Sequence, residues 1–172
     1  MLVNVLRIPR AVLAGLLVLA VSAALMVAAP VTPAEAVTKL SDADARARVT
    51  AAGIAVWSSG GCSNRNRPNC TSLDQVNLTT IQGILTLKSA SGCAITITGG
   101  TETGHAGGTY SHWNGYKLDI SLSSCIDGYI TRSFTFIGYR GDGAALYESA
   151  SGNIYAREGN HWDITYYNCG GC

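Results

Sequence analysis

An α+β domain, with N-terminal helices packed on a mostly antiparallel sheet, is the fold that this sequence predicts. Two helical patterns come early, and from Ala94 onward they give way to short β-branched and aromatic runs. All six cysteines (Cys62, Cys70, Cys93, Cys125, Cys169 and Cys172) fall after residue 36. An even set of this kind staples a small domain in an oxidising compartment.

Residues 1–36 precede that domain. Arg7 and Arg10 charge the first ten residues, Ala11 to Ala29 is an unbroken run of apolar or small residues, and Ala34-Glu35-Ala36 supplies a cleavage pattern. The segment reads as a signal peptide and the protein as secreted. An uncleaved membrane anchor is the alternative, and both imply export. Residues 37–172 then form a single domain. Of 12 basic and 11 acidic residues, 10 and 10 remain once Arg7, Arg10 and Glu35 are removed, so the mature chain is formally neutral. No basic tract survives, which excludes a nucleic-acid partner and leaves no means of stable membrane association after cleavage.

The elements follow in order. In "SDADARARVTAAG", Ser41 or Asp42 caps a helix, acids occupy its first turn and Gly53 stops it. A Cys-, Asn- and Pro-containing loop spans Ser58 to Thr71. Thr79 to Ser89 reads as a second helix, with Ile81, Ile84 and Leu85 on one side and Gly92 as its stop, although Gly83 weakens the pattern. "AITIT", "YKLDISL", "SFTFIGY", "NIYAR" and "WDITYY" are the strands. Six cysteines allow 15 pairings. The expected ones are Cys62–Cys70, Cys93–Cys125 and the terminal Cys169–Cys172, the last being structural because no second CxxC or thioredoxin-like pattern surrounds it.

The exported part holds three histidines, His105, His112 and His161. Asn114-Gly115 is a type I′ hairpin signal. A hairpin there pairs Trp113 with Tyr116, His112 with Lys117, Ser111 with Leu118 and Tyr110 with Asp119. Tyr110, His112, Lys117 and Asp119 then share one face, with His112 and Asp119 as diagonal neighbours. "REGNHWD" sets Glu158 three residues before His161 in a tight segment between two strands. Two histidines and one carboxylate are a catalytic zinc set, with a nearby carboxylate as base. The same residues also suit a surface His112–Asp119 hydrogen bond and a Glu158–His161 turn contact.

"SHWNGYKLD" resembles the S-x-H-x-x-G-x-A-x-D motif of the D-alanyl-D-alanine carboxypeptidase and dipeptidase family, and "EGNHW" resembles that family's E-x-x-H-W. "TGHAGGTYSHWNGYKLDI" is also similar to the zinc segment of hedgehog signalling domains. The resemblance covers roughly residues 94–167. It implies Zn2+ held by His112, Asp119 and His161, with Glu158 as general base and His105 as an accessory donor to the oxyanion. It further implies a secreted metallopeptidase acting on peptidoglycan peptides. The chain departs from the pattern at Tyr110, which replaces a serine, and at Lys117, which replaces a small residue. The family's arginine for the substrate carboxylate is also missing, with Glu102 in its region and Arg132 or Arg140 as substitutes. A zinc-bearing binding module without catalysis is one alternative, and a metal-free disulfide-rich effector is another.

Among the aromatics flanking these residues, Trp113 at the hairpin tip and Tyr110 are the candidates to bind substrate. There is no G-x-S-x-G elbow, no P-loop and no dinucleotide fingerprint. "RGDG", Arg140 to Gly143, reads as a turn.

Overall fold

The computed structural model describes residues 37–172; the expected signal peptide lies outside the described residues. The chain runs β1 (Lys39–Leu40), α1 (Asp42–Ala51), β2 (Ala55–Val56), β3 (Val76–Asn77), α2 (Leu78–Ser91), β4 (Thr96–Gly99) and β5 (Lys117–Ser121). It continues as α3 (Ser124–Ser133), β6 (Thr135–Tyr139), β7 (Ala145–Glu148), β8 (Ile154–Arg157) and β9 (His161–Thr165). Strands β1 and β3 pair by themselves. The other seven form one sheet in the order β2-β4-β5-β9-β8-β7-β6, antiparallel except for β2 beside β4. The fold is α+β, as expected.

Local chemistry accounts for the helices. Ser41 caps α1 by accepting from the Asp44 N–H, and Asp42 and Asp44 sit at the positive end of its dipole. Gly92 ends α2 at φ 66°, a conformation that carries no penalty for glycine. Gly83, the apparent flaw in α2, is where Tyr166 packs: a Cβ there would lie 2.3 Å from the Tyr166 ring. Helix α3 is not among the elements expected from the sequence. Ser123 caps it by accepting from the Ile126 N–H, and its core face is only Ile126 and Ile130, one turn apart. Strand β7, with every residue only half-buried, is likewise not among the expected elements.

The helices and one face of the sheet enclose the core. Leu118 and Ile120 of β5 and Trp162 and Ile164 of β9 are fully buried there, each worth about 1.5–3 kcal/mol on the usual scale of buried side chains. Strands alternate, so the intervening Lys117, Asp119 and Ser121 of β5 and His161 and Asp163 of β9 face the other way. Register sets Asp119 opposite Asp163 and Ser121 opposite His161. The candidate site sits on this second face.

All three disulfides pair as expected: Cys62–Cys70 closes the loop after β2, Cys93–Cys125 ties the end of α2 to the start of α3, and Cys169–Cys172 closes on itself. Among the described residues, no helix is long and apolar enough to cross a membrane.

The expected hairpin at Asn114-Gly115 does not form. Residues 110–113 form no strand, and β5 pairs instead with β4 and β9. Asn114 is absent from the positive-φ residues, which rules out a type I′ turn, whereas Gly115 has φ 78°. The Gly115 N–H donates to His112 O at 2.8 Å and the Tyr116 N–H to Ser111 O at 3.1 Å. That nested pair is a Schellman closure of a single helical turn, with Gly115 in the left-handed position. Asn-Gly signals this ending as well as a hairpin. Here the surroundings decide: Gly115 O accepts from the Asn77 N–H and from Thr80 Oγ1, and Lys39 Nζ donates to Asn114 O.

Candidate metal centre

The centre is built around Asp119, in the middle of β5. Its partner on β4 is Gly99, just after a bulge. A Cβ at Gly99 would lie 2.4 Å from Asp119 Oδ2, so the missing side chain is what makes room for the carboxylate. All three histidines converge on it. His112 Nε2 lies 3.2 Å and His161 Nε2 3.6 Å from Asp119 Oδ1, and His105 Nδ1 lies 3.8 Å from Oδ2. Yet Oδ1 is buried and has no hydrogen-bond partner among the described residues. The imidazoles are close to it without being aligned to it, the arrangement of groups that face a common point rather than one another.

Each imidazole is fixed from behind. His112 Nδ1 donates to Gly100 O at 2.7 Å, which leaves Nε2 as the free lone pair. His105 Nε2 lies 3.2 Å from Glu102 Oε1, turning Nδ1 toward Asp119, and His161 Nδ1 lies 2.8 Å from Asn160 Oδ1. Outer hydrogen bonds of this kind orient ligating histidines. His105, His112 and Asp119 each offer a ligand atom within 4.8 Å of the others, and this group can hold a metal ion. His105, expected only as an oxyanion donor, therefore lies within the group that could hold a metal, its ring stacked on His112 at 3.8 Å.

The two-residue turn Gly159-Asn160 joins β8 to β9, with the Glu158 N–H donating to His161 O. It brings Glu158 Oε2 to 3.4 Å from His161 Nε2. A cleft of about 510 Å³ opens over the centre, lined among others by the three histidines, Asp119, Glu158, Asp163, Lys117 and Arg140.

Two lining carboxylates, Asp142 and Asp163, went unnoticed as site residues in the sequence. Asp163 receives Lys117 Nζ at 2.7 Å and Arg140 Nη1 at 2.9 Å, and it lies 3.6 Å from His112 Nε2. Burial works against its charge, but His112 and Lys117 hold its carboxyl well below the usual range. The signal was available: in "HWDIT", His161 and Asp163 alternate onto one strand face. Arg140, a substitute considered for the missing arginine, does reach the cleft and binds Asp142, Asp163 and Glu158 Oε1. Arg132 is not among the cleft residues.

His112 carries the main electrostatic consequence. Burial disfavours its charged form, but Asp119 and Asp163 outweigh burial and raise its pKa to about 9. The cleft's four carboxylates, Asp119, Asp142, Glu158 and Asp163, face two permanent cations, Lys117 and Arg140. Two negative charges remain when the histidines are neutral, the complement of one divalent ion.

The remaining expectations need correction. Trp113 and Tyr110 do not line the cleft. With no hairpin to present it, Trp113 lies under the Arg65 guanidinium, 3.7 Å from its ring centroid, and Tyr110 packs edge-on against Tyr116 and Tyr167. Glu102, which stands in the region of the missing arginine, is a buried clamp. It accepts from the Ser72 and Gly100 N–H groups, and with His105 these hold its pKa low despite burial. No family model, curated protein or solved structure matches the chain.

Proposed function

We propose that this is a secreted zinc peptidase that cleaves an amide bond in cell-wall peptides, with His112, Asp119 and His161 as ligands and Glu158 as general base. The observation that carries the reading is the buried, unpartnered Asp119 Oδ1, faced by His112 and His161 and set beside Glu158. The donor set of two imidazoles and one carboxylate suits zinc. A zinc ion bound there supplies Lewis acidity and brings the pKa of a bound water to about 7.

The chain's own groups do the rest. Glu158 Oε2, the oxygen that Arg140 does not take, accepts a proton from the attacking water and returns it to the leaving amine. Arg140, flanked by Lys117, presents positive charge to a substrate carboxylate. His105 stacks on His112 and keeps that ring in place. The three disulfides suit the oxidising compartment that secretion implies.

Metal analysis of purified protein, paired with peptidoglycan digestion, tests the reading. The expected result is about one zinc per chain, lost in His112→Ala and Asp119→Asn, and new free amines that disappear with chelator. A metal-free protein would overturn it and leave the disulfide-rich effector. Zinc without new amines would favour a binding module, for which the Arg140–Glu158 ion pair already speaks by occupying one oxygen of the proposed base.

A further inference from the structure

The centre opens on two sides. Away from Arg140, a second lobe of about 390 Å³ is lined by Trp57, Thr98, Ser121 and Asn160, and it shares Asp119 and His161 with the cleft. Building on the peptidase reading, we propose that this lobe binds a pyranose ring, so that the substrate is a sugar-linked peptide rather than a free one.

The lobe's chemistry selects the ligand. Trp57 is its only large apolar surface and is 58% exposed. Its backbone is nevertheless fixed, since its N–H donates to Ile97 O at 2.9 Å. The loop that follows is held by Gly60 N–H, Ser58 Oγ and Ser59 Oγ, all donating to Asn69 O, and by Cys62–Cys70. A bare indole on a fixed backbone is a platform presented before binding. Around it stand two hydroxyls and an amide. Thr98 Oγ1, Ser121 Oγ and Asn160 Nδ2 make no hydrogen bonds to the described residues. One flat apolar face beside neutral donors and acceptors, bordered by the shared Asp119 and His161, matches a sugar, which has an apolar C–H face and a rim of hydroxyls. An apolar peptide side chain would leave those groups unpaired, at a cost.

The two lobes also give the substrate a direction. Cations lie on the Arg140 side and the indole on the other, with Asp119 and His161 between them. A peptide joined to sugar through its amino end would place the sugar on Trp57 and a downstream carboxylate toward Arg140.

The test uses Glu158→Gln protein, which binds without turnover. It is titrated with an N-acetylglucosamine trimer and with a muramyl dipeptide while the three indole N–H signals are followed by NMR. Trp113 is covered by Arg65 and Trp162 is buried, so Trp57 alone should shift. Trp57→Ala should weaken binding roughly tenfold or more, as expected for lost ring stacking with its buried area. Trp57→Phe should retain most of it. No shift of Trp57 at about 10 mM sugar, weaker than any useful subsite, would overturn the proposal, as would unchanged affinity in Trp57→Ala. So would a shift caused by a leucyl peptide amide but not by either sugar. Turnover plays no part in this titration, so its failure leaves the metal and digestion assays standing, and theirs leaves it standing.

Discussion

Raising the pH should destabilise the metal-free protein and have little effect on the zinc-loaded one. His112 has its pKa raised from 6.5 to about 9 by Asp119 and Asp163, against the opposing effect of burial. A histidine whose folded pKa exceeds its unfolded one stabilises the fold fully below the unfolded value, near 6.5. It loses that contribution as the pH climbs through the folded value, near 9. A shift of this size corresponds to about 3 kcal/mol, which for a domain of this length is roughly a 10 °C change in Tm. Calorimetry of chelator-treated protein at pH 6.5 and above pH 9 should show that fall. His112→Gln should remove it. Zinc binding must displace the same proton, so affinity should rise about tenfold per pH unit over this range. A metal-free Tm that stays flat with pH, or a slope that persists in His112→Gln, would refute the electrostatic account of the centre.

Other substitutions separate the roles of individual groups. Glu158→Gln should retain zinc while lowering turnover by about 10²–10⁴, the usual range for a lost general base; loss of the metal would instead make Glu158 a ligand. Comparing zinc affinity in His105→Ala and His161→Ala identifies the third ligand, and His161→Ala should cost far more. Gly99→Ala should push on Asp119 Oδ2 and lower zinc affinity at least about tenfold while the protein stays folded, as checked by metal titration and circular dichroism. Replacing Cys93 and Cys125 by serine should cost about 4 kcal/mol by the loop-entropy estimate, against about 2 kcal/mol for Cys169 and Cys172. The difference follows from closing sequence separations of 32 and 3, and urea denaturation measures it.

Much of the fold was legible because its signals are local. Ser41 and Gly53 bracket α1, Gly92 ends α2, and alternation marks β5 and β9. Helix α3 was harder: Gly128 and the β-branched Ile126, Ile130 and Thr131 read as strand or turn. What fixes this helix is distant in sequence. Trp162 Nε1 and Arg157 both donate to Asp127, and Cys125 is tied to Cys93. Gly83 looked like a defect until Tyr166, 83 residues later, supplied its reason.

The site shows the same division. His112 and Asp119 do meet, but not across a hairpin. Asn114-Gly115 encodes a left-handed residue, and that local fact suits a hairpin loop and a helix end equally well. The choice is made by Asn77 and Thr80, which capture Gly115 O, and by Gly100 O, which captures His112 Nδ1. Asp119 arrives independently, on a strand whose neighbours are β4 and β9. Two separate supports therefore bring His112 and Asp119 together, and neither depends on the other. A substitution that loosens the 111–115 turn should move His112 while leaving Asp119 against His161, so the proposed ligands from the two supports can be lost one at a time.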